Sequence, residues 1–246
     1  KGDLPPGLAG TIDAVSMVNA VARLHTWVRD PGQKHVMTVN NEMLVESTKN
    51  PEFKSVLQST SLNVADSTGV VLAASFTGQK LPGRVPGVDL VQQLCESFDA
   101  STPVFLLGAA PGVAERAAEK LKKQNPHLKI VGILSGSPKP EQASGIVQTI
   151  NQSGAQVLFV AFGAPKQDLW IRQYLRDMPS VRVAMGVGGT FDFLAGSIKR
   201  APGWMRGMGL EWLWRLLLQP SRFGRIVRAV VVFPWLMLKY GKANRY

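Results

Sequence analysis

The chain has one cysteine, Cys95, so an intrachain disulfide framework is excluded and the fold must be held by packing. Long apolar runs are also missing. The longest is AVVVFPWLML, ten residues at 229–238 that contain Pro234, whereas a membrane-spanning helix needs about 20. The first thirty residues carry no apolar stretch of signal-peptide length, which predicts a soluble or peripheral protein. No Asp-x-Asp pair exists to hold a divalent ion against a diphosphate, and His25, His35 and His127 lack metal-ligand spacing, so no obligatory metal and no cofactor are expected. Acidic residues are scarce: 28 Lys plus Arg face 17 Asp plus Glu, and the net charge of +11 implies an anionic partner. Disorder is excluded because 45% of residues are hydrophobic and only 18% charged, a balance that favours collapse.

What is present is unevenly placed. Residues 1–198 carry 18 basic and 16 acidic side chains, whereas residues 199–246 carry 10 basic and only Glu211 acidic, a net +9. The same tail holds Trp204, Trp212, Trp214 and Trp235, four of the six tryptophans, among leucine-rich runs. Cations mixed with aromatics and leucines describe a surface that meets something both anionic and apolar. The chain therefore divides into a core, 1–198, and a basic amphipathic appendage, 199–246, which Pro220 splits in two. The appendage is expected to associate with a membrane and to complete the active site.

Short apolar runs alternate with helical patterns through the core, predicting an α/β fold: a Rossmann-like, mainly parallel sheet with helices on both faces. Strands are expected at 35–39, 62–65, 104–107, 129–134, 156–161 and 181–185. Helices are expected at 13–29, 41–47, 67–76, 88–98, 112–124, 141–152 and 166–177, with Asp13 and Pro111 at helix starts. Cys95 lies in an apolar helical pattern and reads as core, not as a nucleophile.

Ligands of such sheets bind beyond the carboxyl ends of the strands, so the residues after each run matter most. The first run contains Thr38 near its end and is followed by Asn40, Asn41 and Glu42, a polar cluster that could also be a helix start with an Asn cap. The second ends at Asp66, followed by Ser67, Thr68 and Gly69; the carboxylate is either a helix cap or a general base in a cleft. The third runs into GAAPG, from Gly108 to Gly112, where small residues let a phosphate approach a helix N-terminus. The fifth leads to Gly163, Pro165, Lys166 and Gln167. The sixth leads to Gly186, Gly188, Gly189 and Thr190, whose backbone donors suit a diphosphate or merely a structural turn. In the appendage Arg222, Arg225 and Arg228 recur every three residues along one helical face.

Several strings, namely TVNNEM, ADSTGVV, GRVPGVDLV, FGAPKQDLWI, GVGGTFDFLAGSIKRAP and GLEWLWRLLLQPSRFGRIVR, together resemble the WecG/TagA/CpsF glycosyltransferases, from about Thr11 to Arg228. The resemblance implies an inverting, metal-independent enzyme. It would move an N-acetylmannosamine-type sugar from a UDP donor to undecaprenyl-diphosphate-linked N-acetylglucosamine, as in wall teichoic acid assembly. By the same resemblance Asp66 is the base, with Thr38, Asn40 and Gln167 as companions, while Arg84, Arg215, Arg222 and Arg225 meet phosphates. One departure is visible: the family often has Asp-Gly where this chain has Asp66-Ser67.

The expected partners are thus the UDP-sugar, the lipid-diphosphate-linked acceptor and an anionic membrane surface, on the cytoplasmic face of a bacterial cell membrane. The oligomeric state, homo-oligomer included, stays open. Two other classes compete. A nucleic-acid-binding protein would explain +11 but would spread its cations over a groove-facing element, so no nucleic acid is expected. A nucleotide-cofactor oxidoreductase or methyltransferase would explain the sheet but lacks the Gly-x-Gly-x-x-Gly fingerprint.

Overall fold

The apolar runs form a six-stranded sheet in the computed structural model, which describes residues 2–3 and 11–241. A two-residue antiparallel pair, β1 (Gly2–Asp3) with β2 (Thr11–Ile12), precedes it. The sheet contains β3 (Lys34–Val39), β4 (Leu62–Ala65), β5 (Val104–Gly108), β6 (Ile130–Leu134), β7 (Val157–Ala161) and β8 (Val183–Gly186). Its order is β4-β3-β8-β7-β5-β6, and every neighbouring pair is parallel. The chain moves outward from β3 to β4, crosses to β5 and β6, then returns inward through β7 and β8. The connection from β5 leads to β6 at one edge while that from β7 leads back to β8, so connections diverge between β5 and β7.

Neighbouring strand residues serve opposite cores, which is why the strands read as unbroken apolar runs and not as alternating ones. Val36 and Leu106 pack on one face with α1 (Met17–Arg29), α5 (Gly87–Ser97), α6 (Val113–Gln124) and α9 (Thr190–Leu194). Met37 packs on the other, with α2 (Asn41–Ser47), α3 (Pro51–Ser59) and α4 (Thr68–Phe76). Phe105 continues that second layer against α7 (Pro140–Ser153) and α8 (Lys166–Tyr174). Cys95 is buried in the first layer, where burial pushes its thiol up, so it is packing material.

Three local readings need correction. Asp13 does not start a helix: Ser16 caps α1, accepting from the Asn19 N–H, because it sits directly before the first helical residue. Asp13 covers the β4 edge instead; its N–H donates to the Asn63 carbonyl and its Oδ2 accepts from the Asn63 N–H. Helix α3 was not expected, although Asn50 caps it and Pro51 occupies its first position. The helix expected at 166–177 stops at Tyr174 and tightens into a 3-10 turn, Leu175–Asp177.

The C-terminal segment continues as α10 (Gly203–Gly207), α11 (Glu211–Leu218) and α12 (Phe223–Val227), then a π-helical turn, Arg228–Val232, and α13 (Phe233–Gly241). Pro220 opens the 3-10 turn between α11 and α12. The last helix is anchored, because Phe233, Leu236 and Met237 are buried in the cluster that contains Met43 and Leu44 of α2. No helix among the described residues is long and apolar enough to cross a membrane.

Candidate functional site

A cavity of about 450 Å³ lies over the carboxyl tips of β3, β4, β7 and β8. The core contributes Thr38, Asn40, Asp66, Arg84 and Gln167 to its lining, and the C-terminal segment contributes Arg200, Glu211, Trp212, Arg215 and Arg225. Its size suits a small ligand. A second, more open depression of about 810 Å³ runs along α7, but its lining offers Asp177 as the only carboxylate and no Lys or Arg. Nothing there would recognise a phosphate.

Asp66 is placed by a division of labour at the end of β4. Ser67, not Asp66, caps α4, accepting from the Val70 N–H. The Asp66 carboxylate instead accepts the Gly87 N–H at 2.6 Å, at the start of α5. Burial pushes its pKa up to about 6, opposed by the Gly87 N–H and by Arg215 and Arg84, and reinforced by Glu211. A carboxyl group with that pKa ionises at neutral pH yet remains a useful proton acceptor. Gly87 matters for a second reason: a Cβ there would come within 3.1 Å of the Thr38 side chain. Thr38 is buried and its Oγ1 donates to the Gly186 carbonyl at 3.4 Å.

The other expected residues divide by position. Asn40 lines the cavity while capping α2, its Oδ1 accepting from the Met43 N–H at 3.1 Å. The buried Gln167 amide oxygen accepts both the Gly163 N–H, 3.1 Å, and the Gly188 N–H, 2.9 Å, pinning the turns after β7 and β8 together. Those two donors are committed to Gln167 and are not left open for a diphosphate. Gly189 and Thr190 line the cavity, and the Thr190 hydroxyl donates to the Val187 carbonyl. Gly186 lies outside the lining, where a side chain would overlap Gln167 and Asp168. Gly108 also lies outside it, and a Cβ there would sit 2.9 Å from the Phe162 ring. Lys166 is exposed and does not line the cavity. The Arg222 side chain lies outside the described residues.

The cations differ in how firmly they are held. Arg225 donates to Glu42 at 2.7 Å, and Arg200 makes a two-pronged pair with Asp89. Arg84 stands 3.7 Å and Arg200 Nε 3.8 Å from Glu211, close enough for attraction but not for hydrogen bonds. Arg215 lies over the Phe193 ring, 4.6 Å from its centroid, with no carboxylate partner among the described residues. Arg215 and Arg84 are thus the guanidinium groups most ready to turn toward an incoming phosphate. Gly87, Arg200, Glu211 and Trp212 lie inside the strings GRVPGVDLV, GVGGTFDFLAGSIKRAP and GLEWLWRLLLQPSRFGRIVR, but sequence reasoning gave them no site role, because only the placement of α5 and the folding back of the C-terminal segment bring them to the cavity of Asp66. Among the described residues, no three His, Cys, Asp or Glu side chains group where they could hold a metal ion.

A parallel α/β sheet with a strand-tip carboxylate and several guanidinium groups lining one cavity has the make-up of a site for a phosphate-bearing ligand beside a proton acceptor. The comparisons with known proteins give the particular kind. The chain belongs to the glycosyl transferase WecG/TagA/CpsF family, whose model matches residues 7–246. It is 32% identical over 230 residues to the N-acetylglucosaminyldiphosphoundecaprenol N-acetyl-beta-D-mannosaminyltransferase of Bacillus spizizenii, covering 93% of this chain and 88% of that protein.

Proposed function

We propose that this glycosyltransferase moves N-acetylmannosamine or a closely related sugar from a UDP donor to undecaprenyl-diphosphate-linked N-acetylglucosamine, for a surface polymer of the wall teichoic acid type. The observation that carries the reading is Asp66: a strand-tip carboxyl with pKa about 6, opening on the cavity that Arg84, Arg215 and Arg225 also line. The named relative transfers an N-acetyl-beta-D-mannosaminyl group to N-acetylglucosaminyldiphosphoundecaprenol, and the family match covers both the core and the C-terminal segment.

In the proposed reaction the acceptor hydroxyl loses its proton to Asp66 as its oxygen bonds to the anomeric carbon. The bond from that carbon to the diphosphate oxygen breaks at the opposite face, so configuration inverts in a single displacement. UDP leaves carrying the electron pair, and the negative charge growing on it needs stabilisation in place. Arg84 and Arg215 supply positive charge with no metal required, while Gln167 keeps the surrounding turns rigid.

The C-terminal segment also gives a reason for working at a bilayer. Trp204, Met208, Leu217, Phe223, Val231, Trp235 and Leu238 are exposed on a stretch with a large basic excess. Such a surface binds anionic lipid through both charge and apolar area. The protein is therefore proposed to sit peripherally on the cytoplasmic face of the membrane, where its lipid-linked acceptor is anchored. Neither a nucleic-acid binder nor a nucleotide-cofactor oxidoreductase or methyltransferase is what the family match supports.

The test is UDP release from a panel of UDP-sugars with a lipid-diphosphate-linked acceptor, for wild type and Asp66→Ala. Removal of the base is expected to cost on the order of 10³-fold in kcat. Full activity in Asp66→Ala would overturn the base assignment, and no release with any UDP-sugar would overturn the donor class.

A further inference from the structure

Pro234 creates a polar problem in the C-terminal segment, and Asn41 of the core solves it. The turn Arg228–Val232 is π-helical, with the Phe233 N–H donating to the Arg228 carbonyl five residues back. In that register the next carbonyl, Ala229, would receive its proton from residue 234. Proline has no N–H to give. The carbonyl instead accepts from Asn41 Nδ2 at 2.9 Å, across 188 residues of sequence.

The Asn41 amide is prepared for this contact from its other side. The Ser67 hydroxyl donates to Asn41 Oδ1 at 2.7 Å, which points the NH₂ end toward Ala229. Gly69 leaves the room, since a Cβ there would overlap the Asn41 amide. The Ser67 that departs from the usual family pattern thus has a bonding role in this chain. The next residue, Glu42, holds Arg225, which lies one helical turn before Ala229.

We propose that Asn41 is a positioning residue that docks the π-helical turn on the core and so sets where Arg225 reaches into the cavity. Asn41 itself acts through Arg225 and not on the reacting atoms. The bond exists in the ligand-free molecule, but its consequence for turnover rests on the glycosyltransferase reading above.

Hydrogen exchange on the full-length protein without substrate tests the joint independently of activity. Asn41→Ala is expected to speed exchange of amides 226–238 by about tenfold, the loss of one partnered carbonyl, while β3 and β8 stay as in wild type. Asn41→Asp, which keeps an acceptor for Ser67 but has no proton for Ala229, should behave the same way. In a Pro234→Leu background residue 234 regains its own N–H, so Asn41→Ala should add less than about twofold. On the proposed substrates Asn41→Ala should lose roughly tenfold in kcat/KM, and Asn41→Ala with Arg225→Ala should be no worse than Arg225→Ala alone. Unchanged exchange in Asn41→Ala, or losses that multiply in the double variant, would overturn the proposal. Faster exchange in a protein whose wild type transfers no sugar would support the joint and overturn the proposed function instead.

Discussion

Gly108 at the tip of β5 and Gly188 after β8 both have positive φ, 96° and 53°, yet only Gly188 borders the cavity. Gly108 is crowded by the Phe162 ring and the Ala161 backbone, whereas nothing lies within 4 Å of where a Gly188 Cβ would stand. At the two halves of the carboxyl edge these two glycines thus serve opposite ends, close packing at Gly108 and clearance beside the cavity at Gly188, although Gly186 at the end of β8 is close-packed as well. The cations of the two halves differ in the same sense. Arg116, on the helix after β5, is exposed and donates to Ser197, while Arg215 is drawn over the ligand half by the C-terminal segment and stacks on Phe193. A glycine-rich turn after a strand therefore says little until it is known which strands stand beside it.

The sharpest way to break this comparison is to remove one guanidinium from each half. Arg215→Ala is expected to cost about 10²-fold in kcat/KM, because it deletes a cation poised for the leaving diphosphate. Arg116→Ala is expected to stay within about twofold of wild type, as a surface substitution outside the cavity. Steady-state kinetics on both variants check the pair. Comparable losses would mean that the β5 half also binds substrate.

Next in size is the effect of pH. Asp66 must be ionised to accept the acceptor's proton, and its pKa is pushed up to about 6 by burial. As pH falls below that value, the neutral carboxyl takes over, so kcat/KM should drop about tenfold for each further unit. Above it the rate should level off. A profile with no limb between pH 5 and 7 would detach the rate from Asp66.

The strands were legible because a sheet covered on both faces demands continuous apolar runs, and 62–65 is a strand as expected. Helix α3 was not, although its apolar Phe53, Val56 and Leu57 stand at helical spacing; it is short and sits between two stronger signals. Asp13 misled because Asp, like Ser, is a good cap, and only the fold shows that Ser16 takes the role. For the site, Asp66 and Thr38 were visible as polar residues at strand ends. Glu211 was not: it lies inside the string GLEWLWRLLLQPSRFGRIVR, but a lone acid in a basic segment carries no periodic signal that would give it a role. Its place beside Arg84 and Arg200 depends on how α11 folds back over the sheet.

Glu211 gives the smallest effect and the most direct probe of the ligand half. Its charge raises the Asp66 pKa, while Arg84 and Arg215 lower it. Glu211→Gln removes the negative charge and also frees Arg84 from its carboxylate neighbour, and both changes favour ionised Asp66. The acid limb of the profile should therefore move to lower pH, leaving relative kcat/KM at pH 5 roughly twofold above wild type when each is scaled to its own value at pH 8. Arg215→Ala should move the same limb upward through its residual activity. Opposite shifts in these two variants would place both charges electrostatically on Asp66 from the C-terminal side of the cavity; a limb that stays fixed in both would mean that the β3–β4 tips act without that segment.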